Sequence, residues 1–172
     1  MARFIRLRED KSPAECTLDQ IVDEKLSEYA SKRDFKVTTE PKGDEERRAG
    51  SIFVIQEHHA RQLHYDFRLE SDGALRSWAV PKGIPETTRE RRLAVETEYH
   101  PLEYANFEGT IPKGEYGAGT VIIWDKGHYT TKLWEDDKIE VTLDGQRLKG
   151  RYILVRLKKA GDKDWLMLKG KD

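Results

Sequence analysis

The sequence predicts a mainly β fold, a compact antiparallel β-barrel of short strands with one N-terminal helix. Two observations support this prediction. Short runs with strand-like alternation are separated by turn signals rich in glycine and proline, whereas helical spacing of apolar residues occurs in one segment near the N-terminus. Many short strands with few helices are typical of all-β barrels and sandwiches.

The strand that the sequence indicates most clearly is Leu63–Leu69, where apolar residues alternate with His64, Asp66 and Arg68. Successive side chains of a strand point to opposite faces, so one face is apolar and the other carries an imidazole, a carboxylate and a guanidinium. In a barrel, the apolar face would join the core. The charged face would form a working surface.

Composition sets the class of protein. The chain has 172 residues, 37% hydrophobic and 37% charged, with a net charge of −1. This length supports one domain with its own core, and the near-neutral charge argues against non-specific coating of nucleic acid but permits a local basic groove. The single cysteine, Cys16, excludes an intrachain disulfide and a cysteine-based zinc site. Without a signal peptide or an apolar run of ~20 residues, we expect a cytoplasmic protein that does not contact membranes.

The helix is predicted over residues 18–31, where apolar residues recur at helical spacing. Thr17 followed by Gln20 reads as a capping box at its start. Residues 1–15 are charged and unpatterned. We therefore divide the chain into an N-terminal extension, residues 1–25, which includes the start of the helix, and a single barrel domain, residues 26–172.

The strands are predicted in chain order after a charged surface loop over residues 35–50. The hairpin turn Ser71-Asp72-Gly73 joins the second strand to the third, and His128 is assigned to a turn beside Gly127. The eight predicted strands cover residues 52–56, 63–70, 75–80, 91–97, 120–124, 139–143, 152–157 and 165–168.

The charged face of the strand at 63–69 suggests a metal site. Side chains two residues apart on one face have Cα atoms roughly 6.5–7 Å apart, so His64 and Asp66 can share an ion. His58 would complete a set of two histidines and one carboxylate, which leaves positions open for water or substrate. Arg68, the next residue on that face, could grip a bound anion such as a phosphate.

Two other classes of function stay open at this stage. The same spacing fits a non-haem iron oxygenase in which His100 or His128 completes a facial triad. A β-barrel that binds nucleic-acid ends without cutting them is the non-enzymatic alternative. Near a phosphate, His100 could instead orient the anion or protonate a leaving group.

Long motifs over most of the chain resemble the 3′-phosphoesterase domain of bacterial DNA ligase D, which serves non-homologous end joining in DNA repair. The segments that carry the resemblance are Phe53-Val-Ile-Gln-Glu-His58, Leu63-His-Tyr-Asp-Phe-Arg-Leu-Glu70, Ser77-Trp-Ala-Val-Pro-Lys-Gly83, His100-Pro-Leu-Glu-Tyr104, Phe107-Glu-Gly-Thr-Ile-Pro112 and Tyr116-Gly-Ala-Gly119.

The resemblance implies a compact β-barrel and a manganese-dependent hydrolase, with cobalt or zinc as other metals it could use. Such an enzyme removes a 3′-terminal ribonucleoside to leave a 3′-phosphate, then removes that phosphate to leave a 3′-OH. The implied partners are the 3′ ends of DNA or DNA/RNA primer–templates, with a separate ligase, polymerase and Ku-type end-binding protein acting in trans. We expect a monomer.

The resemblance also assigns residues by matching position. The implied metal ligands are His58, His64 and Asp66, and the implied phosphate-binding pair is Arg68 and His100. The further implied residues of the pocket are Lys82, Arg92 and Tyr104, with Arg33, Asp34 and Glu40 acting especially in the phosphodiesterase step. The family often has an Asp where this chain has Tyr99, which predicts the loss of a carboxylate beside His100.

Overall fold

The computed structural model describes residues 13–42, 51–158 and 162–171, and these residues form one helix, one short 3₁₀ helix and nine strands. The helix α1 is Pro13–Ser31 and the 3₁₀ helix is Leu102–Asn106. The strands are β1 Ile52–His59, β2 Leu63–Ser71, β3 Ala74–Val80, β4 Arg91–Pro101, β5 Gly109–Ile111, β6 Gly119–Trp134, β7 Lys138–Gly145, β8 Lys149–Arg156 and β9 Asp164–Lys169.

The strands close into an antiparallel barrel, which confirms the predicted fold class. Eight strands follow one another around it in the order β1-β2-β3-β4-β9-β8-β7-β6, and β6 pairs back with β1. The ninth strand, β5, adds to the first residues of β6 outside this ring. A closed ring has no free edge on which another strand could pair.

The interior of the barrel holds the larger core. It is filled by alternate residues of the strands, because one face of every strand points inward. Its members include Phe53, Ile55, Phe67, Leu69, Trp78, Val80, Ala94, Tyr152, Trp165 and Met167. The predicted apolar face of β2 therefore lies in the core, at Phe67 and Leu69.

A second core lies outside the barrel. Helix α1 and the 3₁₀ helix pack on the outer face of β3 and β4, and Tyr29 packs there with residues of the 3₁₀ helix and with Val54 of β1. Val22 and Leu26 of α1 pack against Ala74 and Tyr99 in a third cluster. On the polar face of β2, Asp66 and Arg68 are buried and His64 is half-buried, so this face does not form the open surface that its sequence suggests.

The N-terminal helix differs from its prediction at its start. It ends at Ser31 as predicted but begins at Pro13, so Thr17 lies inside the helix and is not its capping residue. Proline fits the first turn of a helix because its missing N–H would be unpaired there anyway. Helix α1 runs without a break across the predicted division between residues 25 and 26.

The prediction of a turn at His128 is wrong. Both Gly127 and His128 lie inside β6, where they pair with β1 and β7. A side-chain carbon at Gly127 would lie 2.1 Å from the carbonyl oxygen of Asp144. This glycine therefore permits close contact between two strands and does not mark a turn.

Other sequence predictions are confirmed or fall outside the described residues. The hairpin turn after β2 is confirmed, since Asp72 and Gly73 both have positive φ, as a two-residue type I′ turn requires. The eight predicted strands are all present and longer than predicted, although β8 ends one residue before its predicted end, and β5 was not predicted. Residues 1–12 and the second half of the predicted loop, residues 43–50, lie outside the described residues. In the described part of the chain, no helix is long and apolar enough to cross a membrane.

Candidate metal centre

The β1–β2 hairpin brings three candidate metal ligands together. His58 and His64 are directly opposite each other in the register, with ring centroids 4.7 Å apart. Asp66 lies between them: its Oδ2 is 3.4 Å from His58 Nδ1, and its Oδ1 is 3.3 Å from His64 Nε2. One ligand atom from each residue lies within 4.8 Å of the others. This group could hold one metal ion.

Backbone carbonyls fix the outer nitrogen of each imidazole. His58 Nε2 lies 2.7 Å from the carbonyl oxygen of Gly117, and His64 Nδ1 lies 3.2 Å from that of Gln62. With the ring protons on these outer nitrogens, His58 Nδ1 and His64 Nε2 can offer their lone pairs to an ion; without an ion, the same two nitrogens face Asp66. Such carbonyl partners commonly orient metal-binding histidines. Two imidazoles and a carboxylate therefore fit a divalent transition metal.

The electrostatics favour a cation between these groups. Burial opposes the charged form of Asp66, but the charge of Arg68 and hydrogen bonds from both histidines hold its pKa well below the usual range. Burial likewise opposes protonation of His64, but the hydrogen bond and charge of Asp66 raise its pKa above the ordinary value. Asp66 is thus a fixed anion that attracts either a proton on His64 or a metal ion in its place.

Arg68 lies next to this group with part of its guanidinium unused. It is 3% exposed, donates from Nε to Gln56 Oε1 at 2.7 Å, and has Nη2 3.4 Å from Asp66 Oδ2. Its guanidinium also lies 4.8 Å from the ring centroid of Tyr104. The buried Nη1 has no hydrogen-bond partner among the described residues. A buried donor without a partner is costly, so this atom is suited to bind an incoming acceptor.

His100 faces Arg68 and Arg33 from β4 as a neutral imidazole. Burial, together with the positive charges of Arg68 and Arg33, lowers its pKa well below the ordinary value. Its Nδ1 lies 2.9 Å from the carbonyl oxygen of Glu98, and its Nε2 lies 3.4 Å from Arg33 Nη2. The carbonyl contact places the proton on Nδ1, which leaves Nε2 as an acceptor.

The segment after α1 forms one wall of the site. Arg33 donates from Nε to Glu40 Oε2 at 2.9 Å and from Nη1 to Glu98 Oε2 at 3.3 Å. Tyr104 donates to the same Glu40 oxygen at 2.8 Å. Glu40 and Arg33 have nearly buried side chains, so residues far apart in the chain are linked in one charged network.

These groups line a single cavity of about 280 Å³. Most of its wall is contributed by the metal-ligand group and the cationic network already described. Its lining residues are Arg33, His58, Ala60, His64, Asp66, Arg68, Ala79, Thr97, Glu98, His100, Tyr104, Ile111, Tyr116 and Gly117. A cavity with a potential cation site and two arginines can bind an anion and polarise it.

Three of the residues implied by resemblance lie elsewhere, and a fourth, Glu40, contacts Arg33 and Tyr104 of the cavity wall without lining the cavity itself. Lys82 is exposed in the connection after β3, and Asp34 is exposed with its carboxylate bonded to the backbone of Lys36. Arg92 pairs with Glu90 and shares its strand face with Ala94, which belongs to the interior core. None of the three lines this cavity, and their roles at the site stay predictions.

Two residues of the site, Gln56 and Glu98, were not predicted from the sequence. Gln56 bridges Arg68 to the carbonyls of Tyr104 and Phe107 at 2.8 and 3.0 Å, and Glu98 holds Arg33. The sequence offered one signal for Gln56: it lies two residues before His58, on the same face of a strand. Tyr99 packs against the α1 cluster, so the structure does not place it beside His100, where we expected a lost carboxylate.

His58 is the third member of the candidate group, and among the described residues neither His100 nor His128 joins it. His128 is exposed on β6, and His100 is held by Glu98 and Ser77. The described residues therefore do not form the predicted facial triad, in which His100 or His128 would be the third ligand.

Comparison with known proteins agrees with this geometry. A family model described as the DNA ligase D 3′-phosphoesterase domain matches residues 56–156, which is more than half of the chain. The chain belongs to this family. Membership makes it a phosphoesterase by class, and it confirms the resemblance seen in the sequence.

Full-length members of the family give the same result. The chain is 51% identical over 167 residues to the multifunctional non-homologous end joining protein LigD of Mycolicibacterium smegmatis, covering 90% of this chain and 22% of that protein. It is 47% identical over 156 residues to the protein of the same name from Pseudomonas aeruginosa, covering 86% and 19%. The chain thus spans about a fifth of the length of the curated relatives it matches.

Proposed function

We propose that this phosphoesterase processes the 3′ ends of DNA for non-homologous end joining. In this proposal it removes a 3′-terminal ribonucleoside as a phosphodiesterase and then the remaining 3′-phosphate as a phosphomonoesterase, leaving a 3′-OH. The observation that carries the proposal concerns Arg68, which is 3% exposed and has no hydrogen-bond partner for its Nη1 among the described residues. This atom lies beside the candidate metal ligands His58, His64 and Asp66. That arrangement suits a phosphate between a cation and a guanidinium.

The metal would be held by His58 Nδ1, His64 Nε2 and Asp66. Manganese is the ion that the family resemblance favours, and a mixed nitrogen and oxygen donor set accepts it as well as cobalt or zinc. When bound, such an ion acts as a Lewis acid on a phosphoryl oxygen. The carbonyls of Gly117 and Gln62 would keep both imidazoles turned toward it.

Arg68 and His100 would bind the phosphate. Arg68 is oriented in advance by Gln56 and Asp66, so its free Nη1 can donate to a phosphoryl oxygen without losing another bond. His100 is neutral because burial, together with the positive charges of Arg68 and Arg33, lowers its pKa. An entering phosphate anion offsets those charges, so His100 Nε2 can take up a proton and donate it to a phosphate oxygen.

Arg33 and Glu40 would act mainly in the phosphodiesterase step. Their network with Tyr104 closes one side of the cavity. A diester carries an extra nucleoside that a terminal phosphate lacks, and this wall is available to position that nucleoside.

The test is an end-labelled primer with one 3′-terminal ribonucleotide, annealed to a template and incubated with manganese or with a chelator. We expect two products in sequence, a 3′-phosphate and then a 3′-OH, and neither with chelator. His64→Ala should abolish both products. His128→Ala, which removes an exposed histidine outside the cavity, is the matched control and should cleave like the unchanged protein.

Each competing function gives a different result in the same assay. An iron oxygenase would turn over with 2-oxoglutarate and release no phosphate. A non-enzymatic end-binding barrel would retain the primer in a salt-sensitive complex and yield no product. Cleavage that persists in chelator, or in His64→Ala, would contradict the assignment of the metal ligands.

A further inference from the structure

A second cleft lies at the end of the barrel that carries the metal-ligand group. The β1–β2 turn, the connection from β3 to β4, the end of β9 and the β7–β8 turn all meet at this end, as the strand registers show. The cleft has a volume of about 350 Å³. Its lining residues are Glu86, Trp124, Arg147, Leu148, Lys149, Tyr152 and Lys169.

The cleft combines cations with aromatic rings. The Arg147 guanidinium lies 4.8 Å from the ring centroid of Trp124, and Lys169 Nζ lies 5.0 Å from that of Tyr152. Lys149 adds a third cation, which forms an exposed ion pair of 3.5 Å with Asp144. Such an exposed pair contributes little and is easily exchanged for another anion. Three cations face the cleft, against one lining carboxylate, Glu86.

Two features of the barrel present these groups. Ile55 pairs with Asp125 and Gln56 pairs with Ile123, which leaves Trp124 as the extra residue of a β-bulge. A bulge redirects the side chains that follow it, and here Trp124 meets the Tyr65 ring at 5.6 Å. Since Tyr65 lies between His64 and Asp66 in β2, the cleft touches the strand of the candidate site.

The second feature is Asp125, which fixes the turn that carries Arg147. Its carboxylate is 3% exposed and accepts backbone N–H groups from Gln146, Arg147 and Leu148 at 2.8 to 3.1 Å. A turn held by a buried carboxylate keeps one shape. The cations at Arg147 and Lys149 are therefore displayed by a rigid element, as binding sites require.

We propose that this cleft binds the sugar–phosphate backbone of the nucleic acid whose 3′ end enters the cavity. A row of cations on a fixed surface is the feature that neutralises successive phosphates. The near-neutral net charge of the chain, −1, makes such a local patch necessary for affinity. The proposal rests on the proposed function for its substrate, and it adds a contact away from the reacting end.

The test measures binding without catalysis. The ligand is a fluorescent primer–template that already carries a 3′-OH, so its affinity can be titrated at several salt concentrations with no reaction. The test variant combines Arg147→Ala, Lys149→Ala and Lys169→Ala. The control combines Lys132→Ala, Lys158→Ala and Lys163→Ala, three exposed lysines at the opposite end of the barrel, where β6 and β8 end and β9 begins.

Both variants lose the same charge, so they differ only in where the charge was. We expect the test variant to bind at least about tenfold more weakly, with a salt slope smaller by about two to three units, because roughly one unit is lost per phosphate contact. The control should bind like the unchanged protein. Equal affinities for the two variants, or no measurable binding by the unchanged protein, would overturn the proposal.

The two proposals can fail separately. If the unchanged protein binds through the cleft but releases no product from a 3′-ribonucleotide primer, the proposed function is wrong and the cleft stands. If the unchanged protein cleaves that primer while the test variant binds as tightly as the control, the proposed role of the cleft is wrong and the proposed function stands.

Discussion

Two arginines on neighbouring strands are shielded from solvent in opposite ways. Arg76 of β3 points into the barrel, where it forms an ion pair of 2.9 Å with Glu96 and packs beside the rings of three tryptophans. Glu96 also accepts from Trp165 at 3.0 Å. Arg68 of β2 points outward, is 3% exposed, and has one buried nitrogen without a partner among the described residues.

The contrast separates a structural charge from a functional one. A buried ion pair adds to the fold only when the remaining hydrogen-bond groups are satisfied. The Arg76 pair has its partners inside the barrel and does not line the candidate cavity. Arg68 is oriented by Gln56 and Asp66 but faces a cavity. Its unpaired Nη1 can therefore donate a hydrogen bond to a ligand in that cavity.

Removing the two partner carboxylates gives the largest expected difference. Asp66→Asn should lower the rate of primer cleavage by about a thousandfold or more and abolish the rise in melting temperature that we expect from manganese, because a proposed metal ligand is lost. Glu96→Gln should instead destabilise the fold by about 2–3 kcal/mol with cleavage retained. Cleavage rates and thermal unfolding, with and without manganese, check both. Similar effects of the two changes would end the distinction.

Replacing each arginine by lysine gives the next largest effect. Arg68→Lys keeps the charge but loses the planar fork, so cleavage should fall by about a hundredfold while the fold stays stable. Arg76→Lys should leave cleavage intact and lower the free energy of unfolding by about 1–3 kcal/mol. Steady-state kinetics and urea unfolding measure the two outcomes. A stable and fully active Arg68→Lys would contradict the role of its guanidinium.

The N-terminal wall allows a sharper comparison within the cavity. Arg33→Ala or Glu40→Gln should slow cleavage of the 3′-ribonucleotide by about tenfold or more and slow release of a 3′-phosphate less, since this wall is proposed to position the nucleoside. Separate assays on the two substrates give the ratio. Equal losses on both would show that the wall supports the whole site and not one step.

The smallest expected effect is on pH dependence. The pKa of His100 is lowered in the folded chain, so below about pH 6.5 the unfolded chain binds a proton that the folded chain does not. Stability therefore falls as pH falls through that value, by up to about 1.4 kcal/mol per pH unit for one group. His100→Gln should lose less stability between pH 7 and pH 5.5 in urea unfolding. An identical pH dependence would mean that burial and the charges of Arg68 and Arg33 do not lower the pKa of His100 as inferred.

Much of the fold is encoded locally. The alternation in Leu63–Leu69 and the Asp72-Gly73 turn predict the β2–β3 hairpin, because strand period and turn chemistry are short-range properties. Gly127 and His128 were misassigned for a long-range reason. Glycine there makes room for the backbone of Asp144, a contact that only the closed barrel creates.

The candidate site was likewise predictable where its residues lie close together in the chain. His58, His64 and Asp66 lie on one hairpin, so their spacing alone suggested a shared ion. Arg33 and Glu40 were found through resemblance, since Arg33 reaches the cavity, with Glu40 bonded behind it, only after α1 packs across the barrel. Gln56 was missed because its partners, the carbonyls of Tyr104 and Phe107, belong to a segment that is distant in the chain.

The placement of all three candidate ligands on one hairpin bears on the order in which the chain folds. Contacts between residues 58 and 66 are local, and hairpins form far faster than barrels close. The closing pair joins β1 to β6, across a much longer loop of chain. We therefore expect that an ion can be captured before the ring is complete, whereas Arg33, His100 and Tyr104 meet only at the end. Acquisition of metal and readiness for chemistry are then distinct stages in the maturation of the protein.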